Sequence, residues 1–166
     1  MNKPITHCTF LILMLATLLH FITGEAGFAE ELRLEMQEIS FRTRDNLTIF
    51  GSWITPPIQE RSAPKRPTVI LLHDYGFNRR EWGIFIPDLV ERGFNVLAFD
   101  LRGHGQSKEG GIPSVEYLMS VGLHDVEAAL KWAESQKTTD KKHVNVIGVG
   151  VGADIAFLGA GEFQKK

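Results

Sequence analysis

The sequence has a single cysteine, Cys8, among its 166 residues, which excludes an intrachain disulfide and any cysteine-based metal cluster. It also lacks an excess of charge of one sign. The formal net charge is −2, so nothing favours nucleic acid or an anionic membrane surface as a partner. No residue pattern calls for a metal or another cofactor, and we expect none. The hydrophobic content of 43% and charged content of 23% are typical of one ordinary globular domain.

The first residues resemble a targeting segment rather than part of a fold. A short start with one charged side chain precedes an apolar stretch at residues 10–22, shorter than the roughly 20 residues that a membrane-spanning helix needs. Gly27 and Ala29 then provide the small residues of a signal-peptidase site. We therefore predict a signal peptide at residues 1–29, one mature domain at residues 30–166, and a secreted or periplasmic location without a stable membrane span. The alternatives are an uncleaved membrane anchor and a buried helix, both formed by the same apolar stretch.

Downstream, the pattern predicts strands that alternate with helices after a leading hairpin. Apolar and polar residues alternate in Glu31–Arg44 and Leu47–Thr55, on either side of a turn, which predicts an antiparallel pair. Continuous apolar runs predict strands buried on both faces, and helical spacing predicts helices. The predicted strands of this buried type are Thr68–Leu72 and Asn95–Phe99, and Val144–Val149 is predicted as a third parallel strand. The predicted helices are Arg79–Gly93, Val115–Gln136 and Ala153–Phe163. This order predicts an α/β fold with three αβα layers and a mostly parallel sheet.

Three loops follow the predicted parallel strands, where ligands of open α/β sheets bind. They are His73–Gly76 (HDYG), Asp100–Ser107 (DLRGHGQS) and Gly148–Gly152 (GVGVG). In order and spacing they resemble the α/β-hydrolase family, particularly its esterase, monoacylglycerol lipase and S33 aminopeptidase-like branch. In that family the corresponding strands end in H-G-x-G, D-x-R-G-H-G-x-S and the nucleophile elbow G-x-S-x-G. The resemblance rests on His73, Asp74, Gly76, Asp100, Arg102, Gly103, His104, Gly105, Ser107, Gly148 and Gly152.

The resemblance implies that the nucleophile would stand at position 150, which is glycine here. Gly148 and Gly152 keep the small flanks that the tight strand-to-helix turn needs. Gly150 has no side-chain atom that could attack a carbonyl. The family's acid and histidine follow the nucleophile in the order Ser…Asp/Glu…His, after strands that would come beyond residue 166. We therefore expect the first half of a family catalytic domain, a truncated α/β-hydrolase fold, with no catalytic residue.

The resemblance also implies an oxyanion hole formed by the backbone N–H groups of Tyr75 and Val151. Asp74 stands where the family usually has glycine, and a carboxylate there would oppose a developing oxyanion. We expect His73 and His104 to be structural, and Ser107 to be a turn or helix-cap residue.

The third loop allows a second interpretation, because Gly148-x-Gly150-x-x-Ala153 also fits the dinucleotide fingerprint G-x-G-x-x-G/A. That unit needs a second strand with an acidic residue about 20 positions further on, to bind the ribose. The sequence does not supply this context, and the complete match of the second loop favours the hydrolase.

Together these observations predict a hydrolase-like protein that does not itself hydrolyse ester or peptide bonds. Its expected partner is an ester-like small molecule or a complementing chain. Two alternatives stay open. The chain could be a fragment of an active secreted serine esterase, lipase or peptidase, or an interaction module that uses an exposed sheet edge.

Overall fold

The computed structural model describes residues 34–57 and 64–163. The predicted signal peptide lies outside these residues, so cleavage and secretion stay predictions. The strands are β1 (Glu35–Arg42), β2 (Thr48–Thr55), β3 (Arg66–Leu72), β4 (Asn95–Phe99) and β5 (Thr139–Gly148). The helices are α1 (Ile86–Glu91), α2 (Val115–Val121), α3 (Leu123–Ser135) and α4 (Val151–Phe163), with a 3₁₀ turn at Arg79–Trp82 before α1. Within the described ranges, no helix combines the length and apolar character needed to cross a membrane.

The five strands form one sheet in the order β1-β2-β4-β3-β5. β1 and β2 are an antiparallel hairpin, and β2 also pairs with β4 in the antiparallel sense. β3 runs parallel to β4 and β5 on its two sides, with Ile70 opposite Leu97 and Val146. The predicted hairpin and the parallel part of the sheet are confirmed. The parallel arrangement brings the carboxyl ends of β3, β4 and β5 to the same end of the sheet.

The two faces of the central strands are covered by different helices. On β3, Ile70 and Leu72 pack with core residues of α2, α3 and α4, whereas Val69 and Leu71 pack with Val90 of α1. This alternation follows from the period of two in a strand. Each fully buried Leu or Ile side chain stabilises such a fold by about 1.5–3 kcal/mol. The sheet therefore lies between two helical layers, as the three-layer αβα prediction requires.

Two helix predictions were wrong in their continuity. The predicted helix Arg79–Gly93 is a 3₁₀ turn followed by the shorter α1, because Pro87 lacks an N–H and suits the first turn of a helix rather than its interior. The predicted helix Val115–Gln136 divides at Gly122 into α2 and α3. A Cβ at Gly122 would lie 2.8 Å from Cδ1 of Ile155, so the glycine lets α4 approach this junction.

Residues 144–148 belong to a parallel strand, as predicted, and within the described residues this strand lies at an open edge of the sheet. β5 begins earlier, at Thr139, and within the described residues it pairs only with β3. Ile147 is 42% exposed, and His143 is exposed beside Asp140, with 2.7 Å between Nδ1 and Oδ2. An apolar run thus indicated the strand but not its position in the sheet. β4, by contrast, is buried at every position, as its apolar run predicts.

Candidate functional site

The turn between β5 and α4 has the backbone of a nucleophile elbow. Gly150 lies in the left-handed region, with φ of 53°, where a residue with a side chain is strained. The flanking glycines permit a close backbone approach. A Cβ on Gly148 would collide with the carbonyl of Gly152, and a Cβ on Gly152 would lie 2.5 Å from the carbonyl oxygens of Leu72 and His73. The chain can make this sharp strand-to-helix turn because these three positions carry no side chain.

The two backbone donors predicted to form an oxyanion hole do lie together, and they already have an acceptor. Oδ1 of Asp74 accepts hydrogen bonds from the Tyr75 N–H at 2.7 Å and from the Val151 N–H at 2.8 Å. Val151 is the first residue of α4, so the positive end of the helix dipole also favours a carboxylate here. Asp74 is held from its backbone as well, because its own N–H donates to Oε2 of Glu81 at 3.0 Å. Each amide donates one proton, so the pair is occupied while Asp74 holds this position.

Asp74 also occupies the space that a side chain at position 150 would need. A Cβ built on Gly150 would collide with Oδ1 and Cγ of Asp74. The same carboxylate argues against the dinucleotide interpretation, because a pyrophosphate at the N-terminus of α4 would face a negative charge. The two departures from the family pattern, at positions 74 and 150, are therefore in direct contact.

His73 is fully buried, and both of its ring nitrogens are bound to backbone. Nδ1 lies 2.6 Å from the carbonyl oxygen of Asp74 and must donate, whereas Nε2 accepts from the Leu101 N–H at 3.0 Å. These partners require the neutral ring, and burial lowers the pKa of His73 below its usual value. His73 therefore links the loop after β3 to the loop after β4 through two hydrogen bonds, and neither ring nitrogen is free to act as a base.

His104 is buried in the loop after β4. Its Nδ1 donates to the carbonyl oxygen of Arg102 at 3.0 Å, and its ring centroid lies 5.3 Å from those of His73 and Tyr75. Its Nε2 is buried without a hydrogen-bond partner among the described residues. The tyrosine is itself anchored, because its hydroxyl donates to the carbonyl oxygen of Pro113 at 2.9 Å. The His104 ring therefore packs against His73 and Tyr75 beneath the loop after β4.

The remaining polar residues of the loop after β4 hold neighbouring segments together. Asp100 accepts from the backbone N–H groups of Arg79 and Gln106, both at 2.8 Å, and forms an ion pair with the Arg79 guanidinium. That guanidinium also pairs with Glu38 of β1. Gly105 makes room for this arrangement, since a Cβ there would collide with the Asp100 carboxylate.

Arg102 forms the second buried ion cluster. Its guanidinium lies 2.6 Å from Oδ1 of Asp125 on α3 and 2.6 Å from Oδ2 of Asp45 in the hairpin turn. Burial works to lower the pKa of Arg102, but its hydrogen bonds to the two carboxylates outweigh this and raise the pKa. Arg102 in turn holds the pKa of Asp45 well below its usual range, whereas burial raises the pKa of Asp125. The cluster therefore joins the loop to both the hairpin and α3.

Ser107 is a turn residue that reaches the hairpin rather than a helix cap. Its buried Oγ accepts from the Phe50 N–H of β2 at 2.9 Å. The motif glycines at positions 76, 103 and 105 all have positive φ, at 81°, 79° and 52°. These motif residues therefore hold the backbone conformations of the loops after β3 and β4.

A cleft of about 670 Å³ lies between the loop after β3 and the loop after β4. Its lining includes Phe77, Arg80, His104, Lys108 and Ile112, but not Asp74 or the elbow. Among the residues that the structure describes, no group of three or more His, Cys, Asp or Glu side chains is placed to hold a metal ion.

Sequence reasoning missed several partners in the two ion clusters, namely Arg79, Glu38, Asp45 and Asp125. None of them belongs to a motif, and they lie far along the chain from the residues that they bind. The sequence offers only a general indication of these partners, namely that a buried charge such as Asp100 or Arg102 needs a partner of opposite charge.

Comparison with known proteins points to one fold family. A family model described as the alpha/beta hydrolase fold matches residues 67–166. An uncharacterized 31.7 kDa protein of Escherichia coli is 29% identical over 105 residues, covering 61% of this chain and 35% of that protein. The uncharacterized protein YfhR of Salmonella typhi is 27% identical over 127 residues, covering 76% and 41%.

Solved structures agree. The Pyrococcus furiosus esterase Pf2001 superimposes with a TM-score of 0.66 and 31% identity, covering 79% of this chain and 49% of that chain. The alpha/beta hydrolase GrgF from Penicillium has a TM-score of 0.64 at 17% identity over 76% of this chain and 41% of its own, which shows the fold alone. The chain spans about a third to a half of the length of these relatives.

Proposed function

Because this chain belongs to the α/β-hydrolase fold family, we propose that it is a non-catalytic, hydrolase-like protein that keeps the elbow backbone without hydrolysing esters or peptides. The observation that carries this proposal is Gly150, which stands at the sharp turn between β5 and α4 with a positive φ and no side chain. Nucleophilic attack needs a lone pair on a side-chain atom at that point, and glycine supplies none.

The surrounding residues support the proposal, because the polar groups nearest the elbow are already engaged. The Tyr75 and Val151 N–H groups donate to Asp74, and both nitrogens of His73 are bound to backbone. The likeness to a solved esterase makes an ester-like small molecule the natural class of ligand. We place such a ligand in the cleft beside Arg80 and Lys108, where it would bind without being cleaved.

The test is hydrolysis of p-nitrophenyl acetate and butyrate by the purified full chain. We expect nitrophenol release at the rate of buffer alone, for the chain and for a matched Ser107→Ala variant. Saturable release that persists in Ser107→Ala would contradict the proposal and favour an active secreted serine esterase, lipase or peptidase of which this chain is part. Saturable release abolished in Ser107→Ala would contradict it too, and would assign the nucleophile to the loop after β4.

A second candidate function is association through the β5 edge of the sheet, with a complementing chain as the partner. Within the described residues, β5 pairs on one side only, and its second half is apolar. Ile147 and Val149 are 42% and 40% exposed, and Phe157 of the adjacent α4 is 81% exposed. The opposite edge, β1, carries Glu and Arg side chains that discourage strand pairing. An open, apolar strand edge is a template for a strand from another chain.

Sedimentation velocity over a range of concentrations tests this second candidate. We expect self-association or a bound partner that Ile147→Lys weakens, whereas the matched Met36→Lys on β1 leaves it unchanged. A stable monomer that binds nothing from its native source would contradict it.

A further inference from the structure

Two positions depart from the family pattern, Asp74 in the loop after β3 and Gly150 in the elbow, and they are in direct contact. Asp74 and Val151 lie 77 positions apart in the sequence, yet Oδ1 of Asp74 accepts from the Val151 N–H as well as from the neighbouring Tyr75 N–H. We propose that Asp74 is the built-in ligand of this amide pair, an autoinhibitory contact that keeps any external oxyanion out, and that it can occupy this place only because position 150 is glycine.

The hydrogen bonds support the first half of the proposal. A carboxylate oxygen that accepts two backbone N–H groups makes charge-assisted hydrogen bonds, which are about twice as strong as neutral ones. A single amide proton cannot serve two acceptors well, so a carboxylate from outside would have to displace Asp74. The side chain is also attached to the site, so it competes without the entropic cost of association that a free ligand bears.

The space around position 150 supports the second half. A Cβ there would collide with the Asp74 carboxylate, so a side chain at 150 and Asp74 in its observed place are mutually exclusive. The inference concerns which group fills the amide pair and goes beyond the proposed lack of hydrolysis. Its tests measure amides and stability, so it can fail while that proposal stands, and the reverse also holds.

Amide hydrogen exchange on the full chain tests the contact. In Asp74→Ala the exchange rates of Tyr75 and Val151 should rise together by at least about tenfold, as expected when a charge-assisted bond is lost. In the isosteric Asp74→Asn, whose side-chain oxygen can still accept, they should rise far less. The Phe50 N–H, which is bound to Ser107, should not change and serves as the internal control. Unchanged exchange at Tyr75 or Val151 in Asp74→Ala would overturn the proposal.

Sodium acetate is the probe for exclusion of an external oxyanion. Titrated at constant ionic strength into the wild-type chain, it should leave the amide chemical shifts of Tyr75 and Val151 in place. A saturable shift of both amides in the wild type would show that an outside carboxylate displaces Asp74, which would overturn the autoinhibitory role.

Thermal unfolding tests the pairing of the two positions. Gly150→Ala should lower Tm more in the wild type than in the Asp74→Ala background, because the second case removes the collision and leaves only the strain of the positive φ. Equal losses of Tm in the wild type and in the Asp74→Ala background would contradict the proposal that the place of Asp74 depends on glycine at position 150. If Gly150→Ala fails to fold in the wild type but folds with Asp74→Ala, that outcome supports it.

Discussion

The loop after β4 and the elbow between β5 and α4 lie at the same end of the sheet, where the parallel strands finish, but their residues have different roles. The loop matches the family pattern at every motif position. Its side chains bind β2, the hairpin turn and α3 directly, and they reach β1 through Arg79, which pairs with both Asp100 and Glu38. The elbow departs from the family pattern at position 150, and the Asp74 carboxylate that fills its amide pair is a second departure, in the loop after β3. A full match in one loop therefore identifies the fold, whereas the activity depends on the other.

This comparison predicts that the largest loss of stability follows from breaking the loop after β4. Arg102→Ala would leave Asp125, which is fully buried, without its partner, and should lower the free energy of unfolding by about 3–5 kcal/mol. Urea unfolding measures this. The matched control is Arg92→Ala, which removes an exposed pair with Asp88 and should leave stability unchanged. Equal effects of the two variants would contradict the structural role of the loop.

In the elbow, a smaller loss should follow from filling the close approach of the backbone. A Cβ at Gly152 would lie 2.5 Å from two carbonyl oxygens, so Gly152→Ala should lower the free energy of unfolding by about 1–3 kcal/mol. Gly83→Ala is the matched control, since a Cβ there would come no nearer than 3.2 Å to a neighbouring atom, the Arg80 carbonyl oxygen. If Gly152→Ala were neutral, the tight elbow turn described above would be incorrect.

A single neutral hydrogen bond of the loop should contribute less. Ser107→Ala leaves the Phe50 N–H without its acceptor and should cost about 1 kcal/mol. Ser135→Ala, at an exposed position on α3, is its control. Denaturant midpoints of the two variants decide the matter, and a larger loss for Ser135→Ala would be inconsistent with the assigned contact.

The smallest expected effect is that of pH on His73, which links the loop after β3 to the loop after β4. Burial lowers the pKa of His73, so the unfolded chain binds this proton more readily than the fold. The contribution of His73 to stability is complete above its ordinary pKa of 6.5 and decreases as pH falls below it. The lowered pKa of Asp45 acts in the same direction, but only below its ordinary value of 3.8.

Urea unfolding at about pH 7.5 and 5.5 measures the His73 contribution, and Asp88→Asn, at an exposed pair with Arg92, is the matched variant. Both chains should lose stability over this range to the same extent. A chain equally stable at the two pH values would contradict the burial of a neutral His73.

Much of the fold followed from the sequence because burial on both faces leaves a strong local pattern, as in β4. The division of the predicted helices depended on Pro87 and on the packing of Ile155 against Gly122, and a helical period alone does not show this. The open edge at β5 followed from the resemblance to the family's sheet, whereas the apolar run of β5 by itself does not specify its neighbours.

The candidate site was predictable in its parts but not in its assembly. The family resemblance of the three loops predicted the sharp turn at Gly150 and the two amide donors, Tyr75 and Val151. That Asp74 reaches across to Val151 could not be derived, because the contact joins residues 77 positions apart and depends on the rotamer of one side chain.

The Asp74 carboxylate fills the amide pair of Tyr75 and Val151 at the elbow. A direct measurement is the NMR coupling transmitted across a hydrogen bond, from the amide nitrogen of Val151 to the carboxylate carbon of Asp74. We predict that this coupling is observed in the full chain, alongside the backbone coupling between the Asp100 amide and the Phe50 carbonyl, which are 2.9 Å apart. Its absence in a spectrum that does show the Asp100–Phe50 coupling would contradict the claim.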